Sequence, residues 1–323
     1  MKKILIYFII SIMIFGQKEI RVGFFPNITH GQALYGKNQK IFEKNMKNVK
    51  ISWKKFNGGP EAMEAFLAKQ VDIGYIGPGP ALNGYIKTKG DIFIISGAAN
   101  AGAVLVVGAG TNIKTLKDLN GKKIAIPQIG NTQDIVLRYV LKKAGLKPSY
   151  KGGTVEIVHS NNPYIKTLLD NKNIDGALVP EPWGTRLVQE SNARILLDAK
   201  ELYNNGDYPT TVIIVRKEFY EKNKDLVKEF IKTHIQITKE IQKNQNKAKQ
   251  IINNEIKEIT GKALKASIIN ESFKKVIFTY NPEIEATNFF LDLQIEAGFI
   301  RKRPDISALF DLSILNSLIK ETH

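Results

Sequence analysis

The sequence predicts an α/β protein of two lobes followed by a helical C-terminal third, and three observations indicate this. Short apolar, strand-like segments alternate with amphipathic helical segments, which is typical of largely parallel sheets covered by helices. The alternation runs through two cycles that meet near residues 108–111, and each cycle has about the 100 residues of an ordinary domain. After residue 215, almost every segment has helical periodicity.

The first cycle begins at Arg21. Its clearest helix follows Asn57-Gly58-Gly59, where Pro60 suits the first helical position and Phe66 and Leu67 lie on one face. The predicted strands cover residues 21–25, 49–56, 71–76, 91–96 and 104–107, and the predicted helices cover 31–43, 61–69 and a segment that starts after 80.

The second cycle contains the best-defined helix of the chain. Asn131 or Thr132 can cap its start, Gly145 closes it and Pro148 follows. The predicted strands of this cycle are 122–127, 155–158, 176–179 and 193–197, with helical segments at 116–119 and from 162, and a strand at 211–215 completes the predicted strands of the chain. Beyond them, helices are predicted at 217–244, in shorter pieces to 277, at 282–297 and from 306.

These elements predict how the chain is divided. Residues 19–109 form the first part of lobe 1, 110–211 form lobe 2, and 212–323 return to lobe 1 as a strand and the C-terminal helices. The helices have no predicted sheet of their own, so we expect them to pack on lobe 1. Two short crossings between lobes suit a hinge that closes over a ligand.

The N-terminus has the pattern of an export signal. Lys2 and Lys3 precede an apolar or small run from Ile4 to Phe15, which is shorter than the roughly 20 residues that span a bilayer. We therefore predict that residues 1–18 direct export to the periplasm or another extracytoplasmic space; a buried strand or an uncleaved anchor is the alternative. Because the chain has no Cys, we do not expect a lipoprotein.

The charge favours anionic partners without selecting one. Lys plus Arg number 47 against 31 Asp plus Glu, which gives a formal net charge of +16. Lys predominates and is spread along helices such as 217–249, which is typical of solvated faces, and the interleaving of basic and aromatic residues that binds nucleic acids is not evident. We expect a monomer that binds a small anionic solute and no nucleic acid.

The candidate site lies in loops at the ends of predicted strands, where open parallel sheets bind ligands. These loops combine Gly, which permits close approach of a ligand, with helix starts and side chains that donate hydrogen bonds, and none contains Lys or Arg. The candidate ligand-binding residues are Asn27, Thr29, His30, Gly31, Gln32, Gly77, Pro78, Gly79, Asn100, Gly130, Asn131, Thr132, Gln133, Glu181 and Trp183.

Each loop also has an ordinary structural interpretation. Residues 77–80 are typical of a tight turn, and Asn131-Thr132 is typical of a helix cap. His30 fits a polar loop residue or ligand donor better than a metal ligand or base, and Trp183 fits core packing as well as a pocket wall. Glu181 could cap a helix or pair with a Lys. The prediction therefore depends on the joint position of the loops in both lobes.

Sequence signatures of enzymes are missing. The chain has no G-x-S-x-G, no GxxxxGK[ST], no H-E-x-x-H and no G-x-G-x-x-G after the first strand. Without Cys, it has no thiol nucleophile and no Cys-ligated zinc or iron–sulfur cluster. We predict a protein that is not an enzyme and that uses no cofactor or metal; an exported enzyme acting on an anionic substrate is the alternative.

Five stretches together resemble the substrate-binding proteins of ABC importers, in the branch for aliphatic sulfonates, taurine and nitrate. They are VGFFPNITH at 22–30, DIGYIGPGPA at 72–81, LKDLNGKKIAIP at 116–127, GNTQD at 130–134 and PEPW at 180–183. The resemblance implies a two-lobe type II periplasmic-binding-protein fold, capture of a small organic anion such as an aliphatic sulfonate or taurine, and delivery to an ABC permease with its ATPase. Nitrate, bicarbonate and a heteroaromatic vitamin precursor are the alternative solutes.

Overall fold

The computed structural model describes residues 18–203 and 206–321. The predicted export signal lies outside them except for Lys18, which begins the first strand. The strands are β1 Lys18–Phe24, β2 Val49–Lys55, β3 Ile73–Ile76, β4 Ile92–Ala101, β5 Ala103–Val107, β6 Lys123–Ile126, β7 Glu156–His159, β8 Gly176–Pro180, β9 Arg194–Leu197, β10 Pro209–Arg216 and β11 Val276–Phe278. The helices are α1 Gly31–Asn38, α2 Ile41–Asn45, α3 Gly59–Leu67, α4 Pro78–Lys87, α5 Thr132–Lys143, α6 Asn162–Asp170, α7 Trp183–Glu190, α8 Ala199–Leu202, α9 Lys217–Lys222, α10 Lys224–Lys243, α11 Gln245–Thr260, α12 Ala266–Lys275, α13 Ile284–Ala297 and α14 Ser313–Lys320.

The strands form two sheets, each the centre of one lobe. The first sheet has six strands in the order β11-β4-β10-β3-β1-β2, and the second has five in the order β7-β6-β8-β5-β9. In the first, β1 pairs in parallel with β2 and β3, whereas β10 runs antiparallel between β3 and β4. In the second, β6 pairs in parallel with β7 and β8, whereas β5 runs antiparallel between β8 and β9.

The chain leaves the first sheet at Gly102, between β4 and β5. Ala101 and Gly102 both have positive φ angles, of 57° and 71°, which turn the chain sharply into the second sheet. The predicted division after residue 109 places β5 in lobe 1, whereas β5 pairs with β8 and β9. A fully apolar strand such as AVLVV is equally suited to either sheet, so the sequence pattern does not reveal its partners.

The chain returns to the first sheet at β10, which begins at Pro209, three residues before the predicted boundary at 212. Beyond it, α10 and α11 pack on the first lobe around an apolar cluster that includes Phe230 and Ile252. The C-terminal segment also contacts the second lobe, because α12 packs on α7 and α13 packs on both α4 and α5. A second apolar cluster therefore continues across the lobes, from Phe66 and Leu82 through Phe290 to Ile135.

The C-terminal third is not wholly helical. Residues 276–278 form β11, which pairs with β4 at the edge of the first sheet, where a helix was predicted to continue to 277. A strand of three residues is too short to show an alternating pattern in sequence. Within residues 18–203 and 206–321, no helix has both the length and the apolar character needed to cross a membrane.

Candidate functional site

A polar cleft lies between the two lobes, where the carboxyl ends of their parallel strands face each other. Its free volume is about 30 Å³, room for about two water molecules. Both lobes contribute to the lining. The first supplies Phe25, Asn27, Thr29, His30, Asn57, Gly58, Gly59, Gly77, Pro80 and Thr210, and the second supplies Pro127, Asn131, Thr132, Gln133, Asn162 and Pro180.

The loop after β1 is held from the opposite lobe. Trp183 at the start of α7 donates from Nε1 to Asn27 Oδ1 at 2.8 Å, and the Ile28 amide donates to the Glu181 carbonyl at 3.0 Å. Asn27 and Thr29 are nearly fully buried. These two bonds join the lobes beside the Gly102 crossing and fix the position of the loop in the cleft.

His30 is the titratable side chain of the cleft lining. Its Nδ1 accepts the Phe25 amide proton at 3.3 Å, and its ring lies 4.3 Å from the Phe25 ring. Burial lowers the pKa of His30 to about 3, so the imidazole is neutral at physiological pH. Because Nδ1 is an acceptor, the proton lies on Nε2, which makes His30 a neutral hydrogen-bond donor.

Two helices from opposite lobes begin at the cleft. Asn131 caps α5, because its Oδ1 accepts the Asp134 amide proton at 2.8 Å. The Thr132 and Gln133 amides in the first turn of α5 donate to no other described residue. Among the first three residues of α4, Pro78 and Pro80 lack an N–H group, so Gly79 supplies the backbone amide that can donate to a ligand. Free amides at a helix start, with the positive end of the helix dipole, favour an anion.

Glycine lets the lobes meet closely here. A Cβ atom on Gly77 would lie 2.2 Å from Thr132 Oγ1, and one on Gly58 would lie 2.3 Å from Gln128 Oε1. Two buried side-chain oxygens of the lining have no partner among the described residues, Thr132 Oγ1 and Asn162 Oδ1. Buried polar atoms normally have hydrogen-bond partners. The Thr132 hydroxyl can donate to a solute anion, whereas the Asn162 oxygen can only accept from a donor.

Asp134 supports the loop at the start of α5 and was not among the predicted site residues. Its carboxylate accepts the Gly130 amide proton at 2.8 Å and two bonds from Arg138, at 2.7 Å and 3.0 Å. Arg138 lies over the rings of Tyr150 and Phe299, at 4.9 Å and 4.7 Å. This buried pair holds Gly130 in its left-handed conformation, with a φ angle of 77°, and so positions the α5 amides.

Several predicted residues lie beside the cleft without lining it. Gln32 is buried in the first lobe and donates to the Ala98 carbonyl at 2.7 Å, and Gly31 is packed against Phe278. Asn100 donates to Glu283 at 3.3 Å. The other predicted residues outside the lining are Pro78, Gly79, Gly130, Glu181 and Trp183.

Glu181 is engaged in a structural cluster. Its fully buried carboxylate accepts from the Thr185 amide at 3.1 Å, Ser272 Oγ at 2.9 Å and Lys275 Nζ at 3.0 Å. The geometry therefore matches the capping and Lys-pairing role, and it ties α7 of the second lobe to α12.

Some lining residues were not predicted, although most follow the same rule. Asn57 to Gly59 come after β2 and Asn162 comes after β7, so both occupy the carboxyl ends of parallel strands. Phe25, Pro127 and Pro180 adjoin loops that were predicted. Thr210 is different, because it stands at the start of β10 and reaches this edge only since β10 runs antiparallel to β3.

The cleft can hold an oxyanion without a counter-charge. Among the described residues that line it, there is no Asp, Glu, Lys or Arg, and helix amides, Asn, Thr and neutral His30 supply the donors. In the described part of the chain, no three His, Asp or Glu side chains are grouped so that they could hold a metal ion.

The chain crosses twice between two α/β lobes, and the lobes enclose a polar cleft at their strand ends. This arrangement defines a periplasmic-binding-protein fold, which solved structures share. One is the alkanesulfonate-binding protein SsuA of Xanthomonas axonopodis pv. citri bound to MOPS, with a TM-score of 0.76 and 18% identity, covering 91% of this chain and 98% of that one. Another is the nitrate-binding protein NrtA of Synechocystis PCC 6803, with a TM-score of 0.78 and 14% identity over 94% and 89% of the two chains. Residues 16–253 match the NMT1-like family, and the chain belongs to that family.

Curated relatives carry related names. The taurine-binding periplasmic protein of Escherichia coli K12 is 33% identical over 186 residues, 57% of this chain and 55% of that protein. A putative aliphatic sulfonates-binding protein of the same organism is 24% identical over 190 residues, 58% of this chain and 56% of that protein. The chain thus spans about half the length of these relatives.

Proposed function

We propose that this protein is the extracytoplasmic solute-binding component of an ABC importer, and that it captures an aliphatic sulfonate or taurine between its lobes. The observation that carries the proposal is the start of α5. There, two free amides, the Thr132 hydroxyl and the positive end of the helix dipole converge on a cleft without charged side chains. The names of the relatives agree with such a solute.

Each lobe supplies part of the site, so binding and closure are coupled. The first lobe contributes His30, Thr29 and the Gly79 amide beside the cleft, and the second contributes Asn131 to Gln133. With room for about two waters, the cleft admits a sulfonate only when the lobes separate or the loops move. Movement about the Gly102 crossing would open it. The closed, loaded protein would then present both lobes to the permease and its ATPase.

Calorimetric titration tests this proposal. Ethanesulfonate, taurine, nitrate, sulfate, bicarbonate and a pyrimidine vitamin precursor are compared on the purified protein. We expect micromolar or tighter binding of at least one sulfonate, and roughly tenfold weaker binding in Thr132→Val, which loses a hydrogen bond to a charged group. Thr167→Val is the matched control, because Thr167 is exposed on α6 outside the cleft. Binding of the pyrimidine alone would refute the proposal.

Nitrate is a second candidate, favoured by the small cleft. A planar anion of four atoms requires less separation of the lobes than a sulfonate does, given the free volume of about 30 Å³. Nitrate binding with no sulfonate binding in the same titrations would select it.

A further inference from the structure

The amino-terminal end of the first sheet carries a cluster of exposed lysines. Residues 37–55, which include α2 and β2, contain seven Lys and one Glu. Lys18 at the start of β1 is aligned with Val49 at the start of β2, and a short turn joins α2 to Val49, so these segments meet at one end of the sheet. We call the exposed lysines at this end the basic end of the first lobe: Lys18, Lys40, Lys44, Lys47 and Lys50.

Carboxylates leave most of the basic end unpaired. Glu43, the one carboxylate of residues 37–55, is turned inward, because its Oε1 accepts from Trp53 Nε1 at 3.1 Å and its Oε2 is buried. Glu19 pairs with Lys50 at 3.0 Å. Among the described residues, the lysines of the basic end that have no carboxylate oxygen within 4.0 Å are Lys18, Lys40, Lys44 and Lys47.

The neighbouring helix does not change this balance. Asn45 in α2 donates to Thr233 Oγ1 in α10 at 3.2 Å. Next to Thr233 and one turn before it, α10 carries exposed Lys232 and half-buried Glu229, which add one charge of each sign. Within the basic end, the Lys44 amide donates to the Lys40 carbonyl at 3.0 Å, so these two lysines are one helical turn apart. Like charges at this spacing repel, and an external anion would relieve the repulsion.

Protection of a sheet edge accounts for only some of these lysines. β2 is an edge strand of the first sheet, and charged residues on an edge strand keep it from pairing with other chains. The lysines on β2 itself fit this role. Lys40, Lys44 and Lys47 precede the strand, so their concentration favours a surface for an anionic partner instead.

The chain enters the basic end directly from its apolar N-terminal run. Only Gly16 and Gln17 separate residues 4–15 from Lys18, and the three residues from 16 to 18 span at most about 11 Å. When the run enters a bilayer, during export or as an anchor, the basic end therefore lies within reach of the lipid headgroups. Lysines near an anionic bilayer surface are attracted to it. The position of the basic end thus favours a lipid surface over other anionic partners.

We infer that the basic end of the first lobe is a docking surface for an anionic lipid bilayer. The cleft lies at the carboxyl ends of the parallel strands, and β1 with its seven residues separates the two sites by roughly 20 Å. Docking therefore leaves the cleft open to a solute. Because the chain has no Cys to carry an N-terminal lipid, the basic end supplies another means of keeping the protein at a membrane, whichever solute it binds.

Lysine footprinting tests the surface directly. The full chain is acetylated in the presence of vesicles of phosphatidylcholine alone, or of equal parts phosphatidylcholine and phosphatidylglycerol, and the modified lysines are identified by mass spectrometry. With the anionic vesicles we expect the acetylation of Lys40, Lys44 and Lys47 to slow several-fold, and added salt should reverse the protection. Acetylation should stay unchanged at three exposed lysines of the second lobe, Lys114, Lys117 and Lys172.

A matched pair of triple variants tests the energetics. The first combines Lys40→Gln, Lys44→Gln and Lys47→Gln, and the control combines Lys114→Gln, Lys117→Gln and Lys172→Gln, which lowers the net charge equally. The measured quantity is the ratio of the partition coefficients into anionic and neutral vesicles, in which the contribution of the shared N-terminal run cancels. Each lysine near the surface contributes about fivefold, so the first variant should lower the ratio on the order of a hundredfold. The control should retain most of it, and urea unfolding shows that both variants are folded.

The outcomes separate this inference from the proposed function. Equal acetylation of the basic end with neutral and anionic vesicles, or equal ratios for the two triple variants, overturns the lipid surface. Protection of the same lysines by duplex DNA but not by anionic vesicles also overturns it and assigns the basic end to nucleic acid. Titration of the first triple variant with ethanesulfonate should give the affinity of the unmodified protein, so solute binding and bilayer docking succeed or fail independently.

Discussion

Adding one methyl group at the contact between the lobes should destabilise the closed protein. In Gly77→Ala the new Cβ would lie 2.2 Å from Thr132 Oγ1, 3.4 Å from Thr132 Cβ and 3.5 Å from the Thr210 carbonyl. Only the first contact is impossible, so the lobes or the Thr132 side chain must shift by roughly 1 Å. Overpacking of this kind costs about 1–3 kcal/mol. Because the strain exists only in the closed protein, we expect the dissociation constant to rise roughly 5- to 150-fold.

Substituting Thr132, the residue that the new methyl group would contact, tests this prediction, because the substitution should have opposite effects on affinity in the two backgrounds. Thr132→Ala removes a solute donor and should weaken binding in the unmodified protein, but in the Gly77→Ala background it also removes the clashing oxygen and should strengthen binding. Titration calorimetry on the four proteins measures both effects. Gly108→Ala is the control, because its nearest neighbour would be Leu169 Cδ1 at 3.2 Å, away from the cleft. Gly77→Ala with unchanged affinity, or Thr132→Ala with the same effect in both backgrounds, would refute the reasoning.

Three further predictions concern stability and the link between the lobes. Burial lowers the pKa of His234 from 6.5 to about 4; the unfolded chain therefore binds more protons between these values, and the free energy of unfolding should fall as the pH drops through this range, by up to about 1.4 kcal/mol per unit. When urea unfolding is measured across this pH range, the free energy of unfolding of His234→Gln should change less with pH than that of the unmodified protein. An equal pH dependence would contradict the assignment. Lys275→Met leaves the buried Glu181 carboxylate unpaired and should cost about 3 kcal/mol in urea unfolding, most of it regained when Glu181→Gln is added; no recovery in the double variant would argue against the pair. Trp183→Phe removes the bond to Asn27 and, at about 1 kcal/mol, should weaken solute binding several-fold in calorimetry; unchanged affinity would show that this bond does not stabilise the closed protein.

Much of the cleft could be predicted because its position follows from strand direction. A parallel strand that ends in a Gly- or Asn-rich loop before a helix brings that loop to the ligand-binding edge, and Asn27, Gly77 and Asn131 follow this rule. The cap on α5 was visible in the sequence for the same local reason, since Asn131 and the amide it accepts from are three residues apart.

Other roles could not be predicted because they depend on residues distant in sequence. The Glu181 carboxylate accepts hydrogen bonds from Ser272 and Lys275, which are more than 90 residues away. The residues next to the PEPW stretch at 180–183 do not indicate these partners. Gln32 looks like a ligand donor in its loop, yet its amide donates to Ala98 and is buried.

The sequence by itself determined the local properties of this protein: most of the order of strands and helices, the loops at strand ends, the neutral composition of those loops and the resemblance of its motifs. These features arise from periodicity, turn residues and caps, which act over a few residues. The tertiary structure decided the pairings: β5 in the second sheet, β10 antiparallel in the first, and α13 across both lobes. Apolar segments of similar composition fit many partners, and only the packed chain selects among them. That selection is what assembles a neutral cleft from loops that are distant in sequence.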